Sequence, residues 1–414
     1  TAPNTSTDRT ITLPDTTGSL LTSADIVETN LTADDNIGLG TNAVNSITTG
    51  DYNLGFGLNA GTAITSGSNN IGIGADALLV NNTGSNNTAV GTNSMRANTT
   101  ASYNTAVGYD ALTDNTTGQK NTAVGRLAGA NITTASDNTV VGADALFVNT
   151  TGASNTAVGM SALNANTTGA NNVAMGYQAL DANTTASDNV AIGTSALGAL
   201  TGGTGKNYAL GYEAMASVSN GVSNIGIGYK AGYQSPAITT GDRNVILGNY
   251  STGSVADAQD QCTLGYNVTG SGNQTFTFGN AGSDTTISYG STSWSNPSDE
   301  RIKQDIATST AGLSFINDLR PVTFKYKNEG SIPSTFVGYV EDSTTPVINS
   351  LTNHGFIAQE VKTAIDAHSE LKNGFDMWGE GGDGRQRVGD SALVPMLVKA
   401  IQELSTKNDA LVAR

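Results

Sequence analysis

The chain has 414 residues, room for two or three domains. Charged residues make up 13%, aromatics 6%, and 50 residues are glycine, which does not describe an enzyme core but a repetitive β architecture with thin packing. Its 19 Lys and Arg against 35 Asp and Glu leave a net charge of −16, so it lacks the clustered cations that nucleic acid requires; its one cysteine, Cys262, excludes an intrachain disulfide framework and a cysteine-rich zinc site.

No apolar run approaches the roughly 20 residues of a membrane span, so membrane insertion is not expected, and neither is a cofactor or a metal. The chain opens on Thr1 without an initiator Met. We read it as a fragment or processed chain whose upstream part would hold an attachment segment. Residues 1–35 form a connecting segment. Within it "TITLPDTTGSLLT", Thr10 to Thr22, reads as strand, turn, strand and is similar to connecting segments of bacteriophage tail fibres.

From residue 36 to 265 one unit repeats: N-T-A-V-G, then x-x-A-L-x-x-N-T-T-G-x-x. Its leading Asn recurs every 17 residues at Asn36, Asn53, Asn70, Asn87, Asn104, Asn121, Asn138, Asn155, Asn172 and Asn189. The interval slips to 18 at Asn207, returns to 17 at Asn224 and widens to 20 at Asn244. Two degenerate copies follow, ending at Gly265 and Gly279, the second within a β transition segment, residues 266–297. "NTAVG" predicts a strand of three or four residues, ended by a glycine where the backbone turns. "NTTG" predicts a turn with Asn and Gly at positive φ. A single unit cannot bury its apolar side alone, so units must stack, at about 4.8 Å per rung over a rod of roughly 60–70 Å. Asn in register on successive coils predicts an amide ladder. Four small or medium apolar residues per unit make a thin interior, which leads us to expect several chains pooling their apolar faces along a common axis. The repeats resemble the head repeats of trimeric autotransporter adhesins, whose shorter units carry an N-x-x-x-G core. The expected fold is mainly β, a trimeric β-solenoid or β-roll stalk, followed by a small α+β domain.

That domain, residues 298–414, holds 12 of the 19 basic and 16 of the 35 acidic residues. Helical periodicity appears in "HGFIAQEVKTAIDAH" and "ALVPMLVKAIQELSTKNDALVAR". "LRPVTFKYKNEG" predicts a strand. The glycine-rich "NGFDMWGEGGDGRQRVGD" predicts an extended loop. In the last helix Leu397, Ile401, Leu404, Asn408 and Leu411 fall at 4-3-4-3 spacing, a coiled-coil-like a/d seam with a polar register residue. Lys399, Glu403 and Lys407 are expected on its solvated outer face. At the domain's start, Pro-Ser-Asp before a helical run reads as an N-cap, with Asp299 and Glu300 complementing the helix dipole.

Four motifs in order, "SDERIKQDI", "INDLRPVTFKYK", "HGFIAQEV" and "LVPMLVKAIQEL", resemble the peptidase S74 family, the intramolecular chaperones of endosialidase-type tail proteins. The resemblance implies a domain that trimerises, guides folding of the stalk and then cuts itself off. It implies Ser298 as nucleophile, Lys303 as its base, Pro297–Ser298 as the scissile bond, and support from Asp299 or Arg301. On a helix, residues five apart lie about 140° apart, so Ser298 must precede the helix or sit in a turn for the pair to meet. His354 is expected to pack rather than to complete a triad, and His368 has less claim still. Gln359 and Glu360 would serve assembly or the cut. Any enzymatic activity would be a single-turnover self-cleaving endopeptidase with no external substrate.

The function expected is the distal part of a phage tail fibre on the virion, made in the host cytoplasm. It would be a homotrimer, joined to other tail proteins upstream and presenting its rod to a host cell-surface glycan or outer-membrane protein. Tyr208, Tyr212, Tyr229, Tyr233 and Tyr250 thicken toward the end of the rod, where sugar could stack. The alternatives are a bacterial surface adhesin and a spike that degrades polysaccharide, for which the repeats offer few of the paired acids a glycosidase needs. An ice-binding solenoid would need a flat threonine array, whereas the threonines fall mostly in "NTTG" turns.

Overall fold

The computed structural model of the chain describes residues 26–27, 35–291, 295, 298, 300–336, 338–372, 375–381 and 384–413. The Thr10–Thr22 motif, Pro297 and Asp299 lie outside them. The chain divides into two compact units, Thr1–Pro297 and Ser298–Arg414.

The first unit is a β-solenoid. Among the described residues a 17-stranded sheet runs its length. Fifteen strands, from Ile37–Leu39 to Thr275–Asn280, pair in parallel with their repeats aligned residue on residue, as in Thr105↔Thr122, Ala106↔Ala123 and Val107↔Val124. Antiparallel strands cover both ends, Ile26–Val27 against Ile37–Leu39 and Ser283–Ser288 against Thr275–Asn280. An open parallel edge would template pairing with other chains, and these two strands occupy it.

Within the strand the middle residue points inward, so in "TAV" Ala is buried and Thr and Val face out. Each turn closes its interior with two alanines and one leucine, for example Ala106, Ala111 and Leu112, all fully buried. The thin interior is complete within one chain, so no second chain is needed to close it. It is complete because asparagine fills the rest. Asn87 donates its backbone N–H and its Nδ2 to Asn70 Oδ1, both at 3.1 Å, and Nδ2 again to the carbonyl of Ala101 at 2.8 Å. The same pattern runs from Asn36 to Asn244 and passes to the backbone of Gln261. A buried amide satisfied in this way avoids the ~1–3 kcal/mol that an unpaired polar group would cost.

The turn expectation for "NTTG" is corrected. Positive φ occurs instead at the residue before the leading Asn, at the second residue after the strand glycine, and at the core Leu, such as Leu112 at +49°. A left-handed leucine costs about 1–2 kcal/mol, which the ~1.5–3 kcal/mol of fully burying its side chain offsets. The "NTTG" Asn is buried and forms a second ladder: Asn98 Nδ2 donates to Asn81 Oδ1 at 2.8 Å and to Ala101 O at 3.1 Å. The strand glycine is required by both conformation and space. At Gly108, φ is +141° and a Cβ would stand 2.3 Å from the carbonyl oxygen of Gly125 on the next rung.

Irregular rungs compensate internally. Where Gly129 replaces the core Leu, Ile132 replaces the second-ladder Asn and fills the vacated space. A Cβ on Gly129 would lie 2.9 Å from Ile132 Cδ1. The ladder then lacks a donor, and Asn115 Oδ1 on the preceding rung has no partner. The ladder ends above Asn183, where Leu200 takes the next position beside a retained core Leu197, and Asn183 Oδ1 is likewise unpaired. The strand threonines Thr88, Thr105, Thr122, Thr139 and Thr156 share one outward strand column, beside the more numerous threonines of the turns.

The second unit packs three helices, α1 (Leu313–Asp318), α2 (Ala358–Ala367) and α3 (Val394–Val412), around Phe315. Phe315 is fully buried, with His368 and Phe375 edge-on at 5.4 and 5.6 Å between ring centroids. Val322–Phe324 pairs with Asn353–Gly355. The glycine-rich stretch expected as a loop contains a hairpin, Trp378–Glu380 against Gln386–Val388. It is anchored by buried Met377 and by Trp378, which Lys362 overlies at 5.2 Å. Asp318, at the end of α1, lies 2.8 Å from His368 Nε2, and Glu370 lies 3.3 Å from Nδ1. The hydrogen bond to Asp318 is the main cause that holds the imidazole pKa above its ordinary value, against the effect of burial and with help from Glu370.

Two outcomes follow from these arrangements. Gly129→Leu and Ile132→Asn should each destabilise the solenoid by ~1–3 kcal/mol, through overpacking and through a lost apolar contact. Together they should recover part of that loss, a coupling of ~0.5–3 kcal/mol readable as a double-mutant cycle in thermal or denaturant unfolding. Because the folded pKa of His368 is raised, its stabilisation is fully present below the ordinary imidazole pKa of about 6.5 and is lost as pH rises through the folded value. Unfolding of the C-terminal unit should shift to lower temperature over that window, and His368→Gln should flatten the shift.

Candidate functional site

The segment "SDERIK" forms a single 3-10 turn, Glu300–Ile302, closed by the Lys303 N–H donating to the Glu300 carbonyl at 3.1 Å. The expected helix with Ser298 as its N-cap does not form. Ten residues of extended and bent chain, 303–312, follow the turn before α1. The shortness of the turn brings the dyad together. With only three residues in the turn, Ser298 and Lys303 flank it instead of standing about 140° apart on one helix. Lys303 Nζ donates to Ser298 Oγ at 2.7 Å. Both side chains are exposed in the single chain, as is Arg301, carried on the turn between them. The pair sits at the boundary of the two compact units, with Ser298 as the first residue of the second.

The histidines stand elsewhere. His354 is exposed on its strand, cross-strand from Thr323, and His368 is engaged by Asp318 and Glu370. Glu360, on the first turn of α2, receives both Nε and a terminal nitrogen of Arg320. That guanidinium holds its carboxyl below the usual carboxylate range. The fork ties α2 to the segment after α1 and is a packing contact of the domain.

On α3 the face toward α1 is Met396, Ala400 and Glu403. Glu403 accepts the Leu313 N–H at 3.1 Å and so caps α1, whose own N-cap is a glycine. Glu403 and Lys399 are accordingly half-covered rather than on a solvated outer face, while Lys407 is exposed. The capping role of Glu403 had no signal in the sequence, because its partner is 90 residues away. Leu397, Ile401, Leu404, Asn408 and Leu411 are all exposed, Ile401 at 64%. They form an exposed, largely apolar stripe on α3, with Asn408 within it, adjoining the face that packs on the domain. Leu397 also lines an apolar groove of about 360 Å³ with Ile316, Leu319 and Phe356.

The tyrosines of the rod end pack on one another. Tyr212 and Tyr229 stack at 5.1 Å with 9° between planes, and Tyr250 stands edge-on to Tyr229 and Tyr266. Lys230 reaches Tyr212, Tyr229 and Tyr233 and pairs with Glu213. A ring whose face meets another ring does not offer that face to sugar, so the column is first a stiffening element of the last rungs. Among the described residues no cluster of three metal-ligating side chains occurs, and no helix is long and apolar enough to cross a membrane.

Residues 298–369 match the peptidase S74 family, the chaperone of endosialidase. No curated protein and no solved structure matches the chain. The match begins at Ser298, the residue on which the unit boundary and the Lys303 contact converge, and it implies a folding and trimerisation role for the repeats that precede it. The chain thus joins a β-solenoid of 17-residue repeats to a chaperone-of-endosialidase domain of the peptidase S74 family.

Proposed function

We propose that the chain is the distal part of a trimeric phage tail fibre whose C-terminal domain assembles the solenoid and then releases it by cutting at Pro297–Ser298. The observation that carries the cut is the 2.7 Å contact between Lys303 Nζ and Ser298 Oγ at the unit boundary. In the reaction, neutral Lys303 takes the hydroxyl proton. Ser298 Oγ attacks the Pro297 carbonyl, and the C–N bond to Ser298 breaks as the proton passes to the leaving amine. The acyl group then rests as an ester on Ser298 Oγ, and water hydrolyses it to a Pro297 carboxylate and a free Ser298 hydroxyl. A lysine acts as base when burial or neighbouring positive charge disfavours its ammonium form. A neighbouring copy covering the exposed pair would supply that burial. On this reading cutting waits for assembly.

The exposed Leu397–Leu411 stripe supports α3 as the helix around which copies associate. The rod would be presented to a host-surface glycan or outer-membrane protein, with other tail proteins joined upstream. That part rests on the kind of chain that carries such domains and on the repetitive, low-charge solenoid, a surface suited to display.

Intact mass and a denaturing gel of the expressed chain test the cut. Wild type should give two fragments separated before Ser298. Ser298→Ala and Lys303→Arg should each give one band, since arginine stays protonated at any pH a protein tolerates. Wild type that remains whole while forming trimers would remove self-cleavage and leave the chaperone role.

A further inference from the structure

We propose that the three rods of the assembled fibre pack against one another through the outer face of the parallel sheet, with the outward column of third strand residues lining the common axis. The proposal rests on the trimer reading above and names the face that reading leaves open. That column, which includes Val107, Val124, Val141, Met175, Leu210 and Ile227, is apolar in every one of the fifteen parallel strands, from Leu39 to Phe278, the fourth residue of the longer last strand and the partner of Leu264. Those six are between 36% and 48% exposed, and among the fifteen none is buried by its own chain. The column of first strand residues also faces out, and it is aliphatic, aromatic or threonine with Cys262 near its end. Neither outward column contains a charged residue.

A water-facing sheet surface ordinarily alternates with polar side chains and carries charges as protection against aggregation. Here the acidic residues sit at the corners instead, as at Asp76, Asp110 and Asp144 after the strand glycine. Fourteen steps of about 4.8 Å and a strip roughly 10 Å wide give on the order of 650 Å². That exceeds the ~300–600 Å² largest patch of a typical monomer and approaches the ~800 Å² that each partner contributes to a standard interface.

A further copy of the same chain fits this face on three counts. The C-terminal domain belongs to a family whose domains associate in trimers, which places three copies side by side and parallel. The column rises by the same step in each copy, so parallel rods meet rung for rung. And its residues are of one size class through the middle, valine on five successive strands from Val90 to Val158, as three flat faces meeting along an axis require.

The test is a cysteine crosslink on the full chain. In a Cys262→Ser background, Val124→Cys should convert the monomer band to disulfide-linked dimer on a non-reducing denaturing gel after mild oxidation. Thr117→Cys, exposed on a turn corner of the preceding repeat, should not. Light scattering on the same samples gives the mass. A trimeric mass with crosslinking at 117 and none at 124 would overturn this face while leaving the trimer intact. A monomeric mass for all variants would overturn both.

Discussion

The asparagine ladder is the constraint on which the rest of the solenoid depends. A coil of 17 residues encloses too little apolar volume to bury its backbone by hydrophobic contact alone. Two alanines and a leucine leave gaps, and the chain fills them with amides that bond their own kind one rung away. That choice fixes the period, because an amide reaches its neighbour only when the rungs stand at strand spacing and in register. It also fixes the glycine after each strand, since rungs held that close leave no space for a Cβ there. The low charge and low hydrophobicity of the composition are consequences of the same device.

Much of this was legible in the sequence. The recurrence of Asn36, Asn53, Asn70 and their successors set the rung boundaries and foretold the ladder, because a strict period leaves few ways to stack. What was not legible was direction. "TAV" alternates, but alternation alone does not say whether alanine or valine faces in, and intuition puts the larger residue inside. The ladder decides it: in a coil narrow enough for amides to meet, the strand centre is mostly alanine or glycine, with Val140 and Ile246 the larger exceptions. The same narrowness places leucine at positive φ, a position no propensity would assign to it.

The C-terminal domain was legible in parts. The motifs located Ser298 and Lys303, but a charged run after Pro-Ser-Asp reads as a helix start. It stays one 3-10 turn, and residues 303–310 after it are all exposed, Ile306 included, and pack no face on the domain. Contacts between distant residues, such as Glu403 with the amide of Leu313 or His368 with Asp318, left no trace in local pattern. The glycine-rich stretch misled in the opposite way, since Met377 and Trp378 anchor a hairpin that accommodates Gly379 within a strand.

The interruption and the end of the second ladder have a further consequence. A stack of interchangeable coils has a translational symmetry, and such a symmetry permits counting errors: a coil can be skipped and the next taken in its place with the same bonds formed. Ile132 breaks that symmetry within the ladder and Leu200 ends it, each leaving an unpaired oxygen below it on Asn115 or Asn183. They divide the stack into numbered sections, so that a coil out of sequence puts an amide beside a methyl group or an oxygen beside nothing. The unsatisfied atoms, a defect when each rung is weighed alone, are index marks along the length of the whole.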